Sequence, residues 1–251
     1  MSKFIERLQK VLQPAAQSMG FQTVKSEHLK PKLQLVVNIT NGKVKSQIKE
    51  LDNADALLLP APAIRGGKEI PGAWLTKGNA EEVEKSTKAG ADFVILSVSG
   101  EALPSDKKIG KILQVDAAIT DIMLRTVSIL PVDAVLLAEE EGVLALTWKR
   151  LMLIHRFSGL TGKPLLVEVL PAATETELQQ IWDAGVSGIV VKTDAEQAEA
   201  VAQNLRNIID KLTFPSRRKN EKGMAIVPQV AIAAEAPKED DGDGDGDGDD
   251  E

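Results

Sequence analysis

Two charged residues carry the strongest chemical signal in this chain. Glu168 and Lys192 each stand near the end of a short apolar run, one from Leu165 to Leu170 and one from Gly188 to Lys192. Alternation with a period of two puts Glu168 on the side of Leu166 and Leu170, and Lys192 on the side of Val190 and Gly188. On neighbouring strands, the carboxylate and the ammonium would face each other. Two chemistries follow. Glu168 can act as a general base or carboxylate anchor while Lys192 binds an anion or forms a Schiff base. Alternatively the two form an ion pair that fills space without catalysis, because an inward glutamate without a partner is costly. The residues alone name no reaction.

Other polar residues stand at the ends of similar runs: Asn38, Lys77, Ser97, Ser99, Asp116 and Glu139. Asp116 is the third candidate for catalysis. Asn38, Lys77, Gly78, Ser99 and Gly100 are candidates for ligand binding. In Lys77-Gly78-Asn79 and Ser99-Gly100, a glycine lets backbone amides approach an anion, and Lys77 adds charge. The same residues also make ordinary turns, as does Gly66-Gly67 after Arg65. His155 lies among apolar residues and reads as packing, His28 has no evident partner, and Trp74, Trp148 and Trp182 read as core or wall.

These residues need a scaffold, and the chain supplies it twice. Asp55-Ala56-Leu57-Leu58-Leu59 reads like Asp133-Ala134-Val135-Leu136-Leu137. Pro71 before an apolar run recurs at Pro164. Lys88-Ala89-Gly90-Ala91-Asp92-Phe93-Val94-Ile95 recurs as Asp183-Ala184-Gly185-Val186-Ser187-Gly188-Ile189-Val190. Two halves of four βα units make a single α/β domain, an eight-unit (β/α)8 barrel. Strands are expected at 33–39, 56–60, 72–76, 93–98, 111–116, 134–138, 165–170 and 188–192. Asn79 with Glu82, Thr174 with Glu177, and Asp194 with Gln197 have the spacing of helix N-caps. One helix is expected near 147–160. The units after strands one, two and four are too short for full helices.

The barrel is expected over 33–212, preceded by an amphipathic helix and connector (1–32). The helix should occupy 2–19 with Pro14 as a break, and it should cover the barrel floor or a partner subunit. An extension (213–236) follows, basic at first and apolar from Met224. The last stretch, 237–251, is a low-complexity Asp-Gly tail expected to be disordered.

Composition agrees with such a fold. Of 251 residues, 43% are hydrophobic but only 3% aromatic, so the core must be aliphatic. The formal charge of −7 sits in the tail: Glu239–Glu251 holds nine acids, which leaves 28 acidic against 30 basic residues elsewhere. No basic surplus invites nucleic acid. The absence of cysteine excludes disulfides and thiolate metal sites. The tail has no EF-hand order, so no metal site is assigned. No run is long enough to span a bilayer and no signal sequence is evident, so a cytoplasmic location is expected.

The half-barrel repeat and the Ala-Gly-Ala-Asp-Phe-Val-Ile signature resemble the phosphate- and flavin-binding TIM-barrel superfamily, and the duplication is most similar to the histidine-biosynthesis barrels. The whole also resembles an uncharacterised bacterial family of short TIM barrels. The resemblance covers about residues 33–212. It implies a carboxylate at the ends of strands one and five, where this chain is read as having Asn38 and Asp116. It also implies a phosphate or flavin mononucleotide (FMN) after strands seven and eight. There the chain has Pro171-Ala172-Ala173-Thr174 and Lys192-Thr193-Asp194 instead of glycine-rich turns, so no cofactor is assigned and FMN is disfavoured. The expected function is binding of a small polar or anionic ligand at the barrel mouth. The alternative is a non-catalytic barrel serving as a scaffold or subunit, in a homo-oligomer or with a protein partner.

Overall fold

A computed structural model describes residues 2–12, 32–40, 51, 53–59, 70–75, 79–100, 108–138 and 144–214. The apolar runs form eight parallel strands: β1 Gln34–Ile39, β2 Ala56–Leu59, β3 Ile70–Trp74, β4 Phe93–Ser97, β5 Gly110–Asp116, β6 Ala134–Ala138, β7 Leu165–Val169 and β8 Gly188–Thr193. Each pairs with the next, and β8 closes on β1 through six residue pairs from Gln34–Gly188 to Ile39–Thr193. Six α-helices are described: α1 Lys3–Leu12, α2 Ala80–Lys88, α3 Asp121–Thr126, α4 Trp148–Thr161, α5 Glu175–Asp183 and α6 Ala198–Ile209. A 3₁₀ turn, Val127–Ile129, follows α3. The expected barrel is therefore present.

Local chemistry sets most boundaries. Asn79 accepts from the Glu82 amide at 2.9 Å and starts α2. Thr174 and Glu177 form a complete capping box at α5. Gly90 and Gly185 turn the chain out of α2 and α5 with φ of 97° and 100°, a region L side chains rarely enter. Two boundaries differ from the sequence reading. Strand β3 begins before Pro71, because the proline carbonyl still accepts from the Asp92 amide at 2.8 Å although its nitrogen cannot donate. Helix α6 begins at Ala198 rather than at an Asp194 cap. The Gln197 amide bonds the backbone carbonyl of Asp194, so residues 195–197 form a turn first. Pro14 lies outside the described residues, as do the extension and tail beyond Phe214.

Alternation divides the core in two. One set of side chains packs outward against the helices. The other fills the cylinder: Val36, Ala56, Leu58, Ile70, Phe93, Ile95, Ile112, Ala134, Leu136, Leu166 and Val190. Helix α1 closes the floor of this column. Phe4, Ile5 and Leu8 join it, and Phe4 stacks on Phe93 at 4.6 Å. Asp92 holds the helix start, accepting from Ser2 Oγ at 2.6 Å and from the Lys3 and Phe4 amides at 3.0 Å each. A carboxylate at a helix N-terminus satisfies amides that have no intrahelical partner. Gly72 and Gly110 leave room for the plug. A methyl on Gly110 would lie 2.6 Å from Ile5, and one on Gly72 would lie 2.3 Å from the Phe93 ring.

The duplication is visible in the hydrogen bonds. Asp55 at the start of β2 accepts from the Leu35 amide of β1, and Asp133 at the start of β6 accepts from the Lys111 amide of β5, both at 2.8 Å. This equivalence carries Asn38 onto Gln114, since Asn38 pairs with Leu58 and Gln114 with Leu136. It carries Trp74 onto Glu168 as partners of Ile95 and Val190.

Candidate functional site

The inward column continues above the aliphatic layers into polar residues. Asn38 follows Val36, Lys192 follows Val190, Glu168 follows Leu166, Gln114 follows Ile112, Ser97 follows Ile95, and Trp74 packs against the column from β3. Each half of the duplication thus contributes a different set to the mouth: Asn38, Trp74 and Ser97 from the first half; Gln114, Glu168 and Lys192 from the second.

Glu168 and Lys192 meet as their alternation requires. Lys192 Nζ lies 2.8 Å from Glu168 Oε2, with the glutamate side chain 5% exposed and the lysine side chain 37%. The ammonium also lies 5.6 Å from the centre of the Trp74 ring, so it reaches across the mouth from β8 toward β3. Asn38 is the register partner of Lys192 on β1. The Lys192 Nζ thus lies between a carboxylate on one side and a π face on another. Of the two roles open to Lys192, that arrangement suits an anchor for negative charge better than a nucleophile.

Arg150 supports the pair from behind. It is buried on α4, and its guanidinium donates to the backbone carbonyls of Glu168 and Leu144. It therefore fixes the strand position from which the Glu168 side chain projects. The sequence reading passed over Arg150. Its signal was available: with Ile154, Phe157 and Thr161 it lies on the buried stripe of one helix, where an arginine must find acceptors. Gln114 was missed as well, because Asp116 two residues later has the same inward parity. The registers show that Gln114, not Asp116, is the counterpart of Asn38. Asn38 and its counterpart Gln114 are both carboxamides.

The other candidates are placed as follows. Asp116 ends β5, exposed, and accepts from the Ala118 amide at 2.7 Å. Ser97 and Ser99 share a hydroxyl hydrogen bond of 2.8 Å. The Ser99 amide bonds Ser97 Oγ, and the Gly100 amide bonds the Ser97 carbonyl. Lys77, Gly78 and Glu139 lie outside the described residues, as does His28. Two readings change. His155 is exposed on the outer face of α4 rather than packed. Trp148 is 81% exposed, because it is the first residue after the Thr147 cap and points away from the barrel. Trp182 is in the core as expected.

At the helix start after β7, two backbone amides that could meet a phosphate are already bonded by the capping box. Thr174 Oγ1 accepts from the Glu177 amide at 3.3 Å, and Glu177 accepts from the Thr174 amide at 2.8 Å. Asp194 stands exposed after β8. A carboxylate at a helix start opposes an anion there. Among the described residues, no group of three His, Asp or Glu side chains is placed to hold a metal ion. No described helix is long and apolar enough to cross a membrane.

The fold defines the class: this chain is a (β/α)8 TIM barrel built from two four-strand halves. Solved structures of the same fold include a mutant tryptophan synthase α-subunit from Pyrococcus furiosus, with a TM-score of 0.51 and 10% identity over 72% of this chain and 98% of that one. They also include 3-keto-L-gulonate-6-phosphate decarboxylase from Vibrio cholerae, with a TM-score of 0.53 and 10% identity over 71% and 99%. A putative fructose-1,6-biphosphate aldolase from Coccidioides immitis aligns with a TM-score of 0.52 and 11% identity over 71% and 91%. At such identities the likeness is one of fold. No protein-family profile matches the sequence, and no curated protein matches it either.

Proposed function

We propose that the barrel binds a small polar ligand carrying negative charge at its C-terminal mouth, with Lys192 as the anchor. The observation that carries this reading is the Glu168–Lys192 pair itself. A buried ion pair is weak as a source of stability, and a column of aliphatic and aromatic residues lies below it. It stands at the C-terminal end of the barrel interior, and its cation keeps more than a third of its side-chain surface in water. Lys192 has three N–H donors, and Glu168 accounts for one of them. Asn38 and Gln114 offer amide donors and acceptors in the same layer, and Ser97 offers a hydroxyl. Lys77, Gly78, Ser99 and Gly100 are proposed to contribute at the rim, and Asp116 to take part as a second carboxylate. Solved relatives in fold include proteins whose printed names contain phosphorylated compounds, which agrees with an anionic ligand. The committed caps at Thr174 and the charge of Asp194 direct that anion to Lys192 rather than to the helix starts after β7 and β8. No cofactor is part of this reading.

The test is thermal unfolding in the presence of small carboxylates and phosphate monoesters, each measured on wild type and on Lys192→Met. A compound that raises the wild-type midpoint and leaves the variant unmoved supports the assignment. Equal shifts in both proteins remove Lys192 from the site. Native mass spectrometry of protein from its source would report a retained ligand directly.

The second reading, a barrel that serves as a subunit of an assembly, has its own support. Large apolar side chains stand exposed on the outer wall at Ile122, Ile129, Trp148 and Met152.

A further inference from the structure

We infer that the ligand at the mouth is a zwitterion, a small free α-amino acid whose carboxylate meets Lys192 and whose ammonium meets Glu168. This rests on Lys192 as an anchor for negative charge and names the kind of molecule that brings that charge. Charge balance selects the class. Among the described residues that continue the inward column, Lys192 is the cation and Glu168 the anion, while Asn38, Trp74, Ser97 and Gln114 are neutral. At 2.8 Å the two charges already compensate each other. A ligand carrying only negative charge gathers a second anion around one ammonium, beside a carboxylate that is 5% exposed and cannot turn to water. The strand ends above add to the imbalance, since Asp116 ends β5 and Asp194 follows β8, both exposed. Arg150 turns its guanidinium to the backbone carbonyls of Glu168 and Leu144. The positive charge that a bound anion needs therefore arrives with the ligand.

The carboxylate has a free position for that charge. Lys192 takes Glu168 Oε2, and no described residue donates to Oε1. Oε1 is nevertheless not sealed from solvent, so a ligand ammonium can reach it. The π face of Trp74, 5.6 Å from Lys192 Nζ, is a second surface that attracts a cation in the same place. The spacing of the pair sets the size of the ligand. In an α-amino acid one carbon separates the ammonium from the carboxylate, which suits the 2.8 Å between Nζ and Oε2. The two pairs of opposite charges then lie antiparallel, each group beside its opposite. Asn38, the register partner of Lys192, offers a carboxamide that can accept from the ammonium or donate to the carboxylate. A lone lysine would serve a simple anion, and a carboxylate beside it only weakens such binding. A zwitterion makes use of both members of the pair.

The test is isothermal titration calorimetry on the full chain with the common L-amino acids. Any that binds is then compared with its N-acetyl derivative, which keeps only the carboxylate, and with its amide, which keeps only the ammonium. At least one free amino acid should bind wild type. Both derivatives should bind about thirtyfold or more weakly, the loss expected when one member of a desolvated charge pair is removed. Glu168→Gln keeps the shape and removes the charge, so it should weaken the free amino acid and strengthen the N-acetyl form relative to wild type. Circular dichroism verifies that this variant keeps the fold, and the derivative series on wild type needs no variant. The inference is overturned if none of the amino acids binds, if an N-acetyl form binds wild type as tightly as its parent, or if Glu168→Gln leaves the preference unchanged. Where a carboxylate or phosphate monoester then still binds through Lys192, the anchor stands without the zwitterion. Amino-acid binding that survives Lys192→Met removes both.

Discussion

Breaking the Glu168–Lys192 pair from its two ends should give unequal costs, and the inequality can be worked from the burial of each partner. Lys192→Met leaves a carboxylate that is 95% enclosed, above the aliphatic column, with its ionic partner gone. An uncompensated buried charge costs about 3–5 kcal/mol. The lower end applies here, because the mouth lies above. Glu168→Leu leaves an ammonium whose side chain is already 37% exposed and rides on a flexible stem beside Trp74. That cation can turn to solvent, so the cost falls toward the roughly 1 kcal/mol of an exposed pair. The double variant removes both charges and restores an apolar layer, which is nearly neutral for many buried pairs. Arg150 holds the backbone carbonyl of Glu168 in all four proteins, so β7 should not move. Urea unfolding measures the cycle. In a chain of this size about 3 kcal/mol corresponds to a fall of roughly 6–12 °C in Tm. Equal costs for the two single variants would refute the burial argument. A double variant as unstable as Lys192→Met would show that the lysine stabilises the mouth by packing rather than by charge.

Two further outcomes are expected. Gly110→Ala should destabilise by about 1–3 kcal/mol, because its methyl would lie 2.6 Å from Ile5 and 2.7 Å from Ser2 Oγ and press α1 off the floor; hydrogen exchange should rise in α1 more than in the strands, and a uniform rise would argue against a plug seated there. Lys163 donates to the carbonyls of Leu130 at 2.7 Å and Val132 at 2.5 Å, and its burial lowers the ammonium pKa, with Asp133 partly opposing. In the alkaline window just below about pH 10.4 the unfolded chain then holds more protons than the folded one, so this residue makes stability rise with pH there. Urea midpoints across that window should climb in wild type more than in Lys163→Met, and parallel profiles would exclude the effect.

Much of the site was legible because strand chemistry is local. The parity of Leu166, Glu168 and Leu170 and of Gly188, Val190 and Lys192 was enough to aim two charges at each other once the strands were neighbours. The repeat of Asp55 at Asp133 announced the duplication, and both aspartates bond the first strand of their half. Other features needed distances between strands. The choice between Gln114 and Asp116 as the counterpart of Asn38 is a matter of register, and both share one parity. The reach of Lys192 to Trp74 spans the cylinder, and no pattern along the chain encodes it. Trp148 and His155 were misread because a helix with an arginine on its inner stripe gives a weak apolar bias, which hid which face looked outward.

Sequence by itself determined the period of every strand, the caps at Asn79 and Thr174, and the residue types available to the mouth. Those follow from backbone geometry and from side-chain bonds spanning three or four residues. Closure of β8 on β1 decided the rest: which polar residues share a layer, which carboxylate is enclosed, and which tryptophan lies under the ammonium. Burial and Coulomb interaction depend on separation in space, and only the closed cylinder sets those separations.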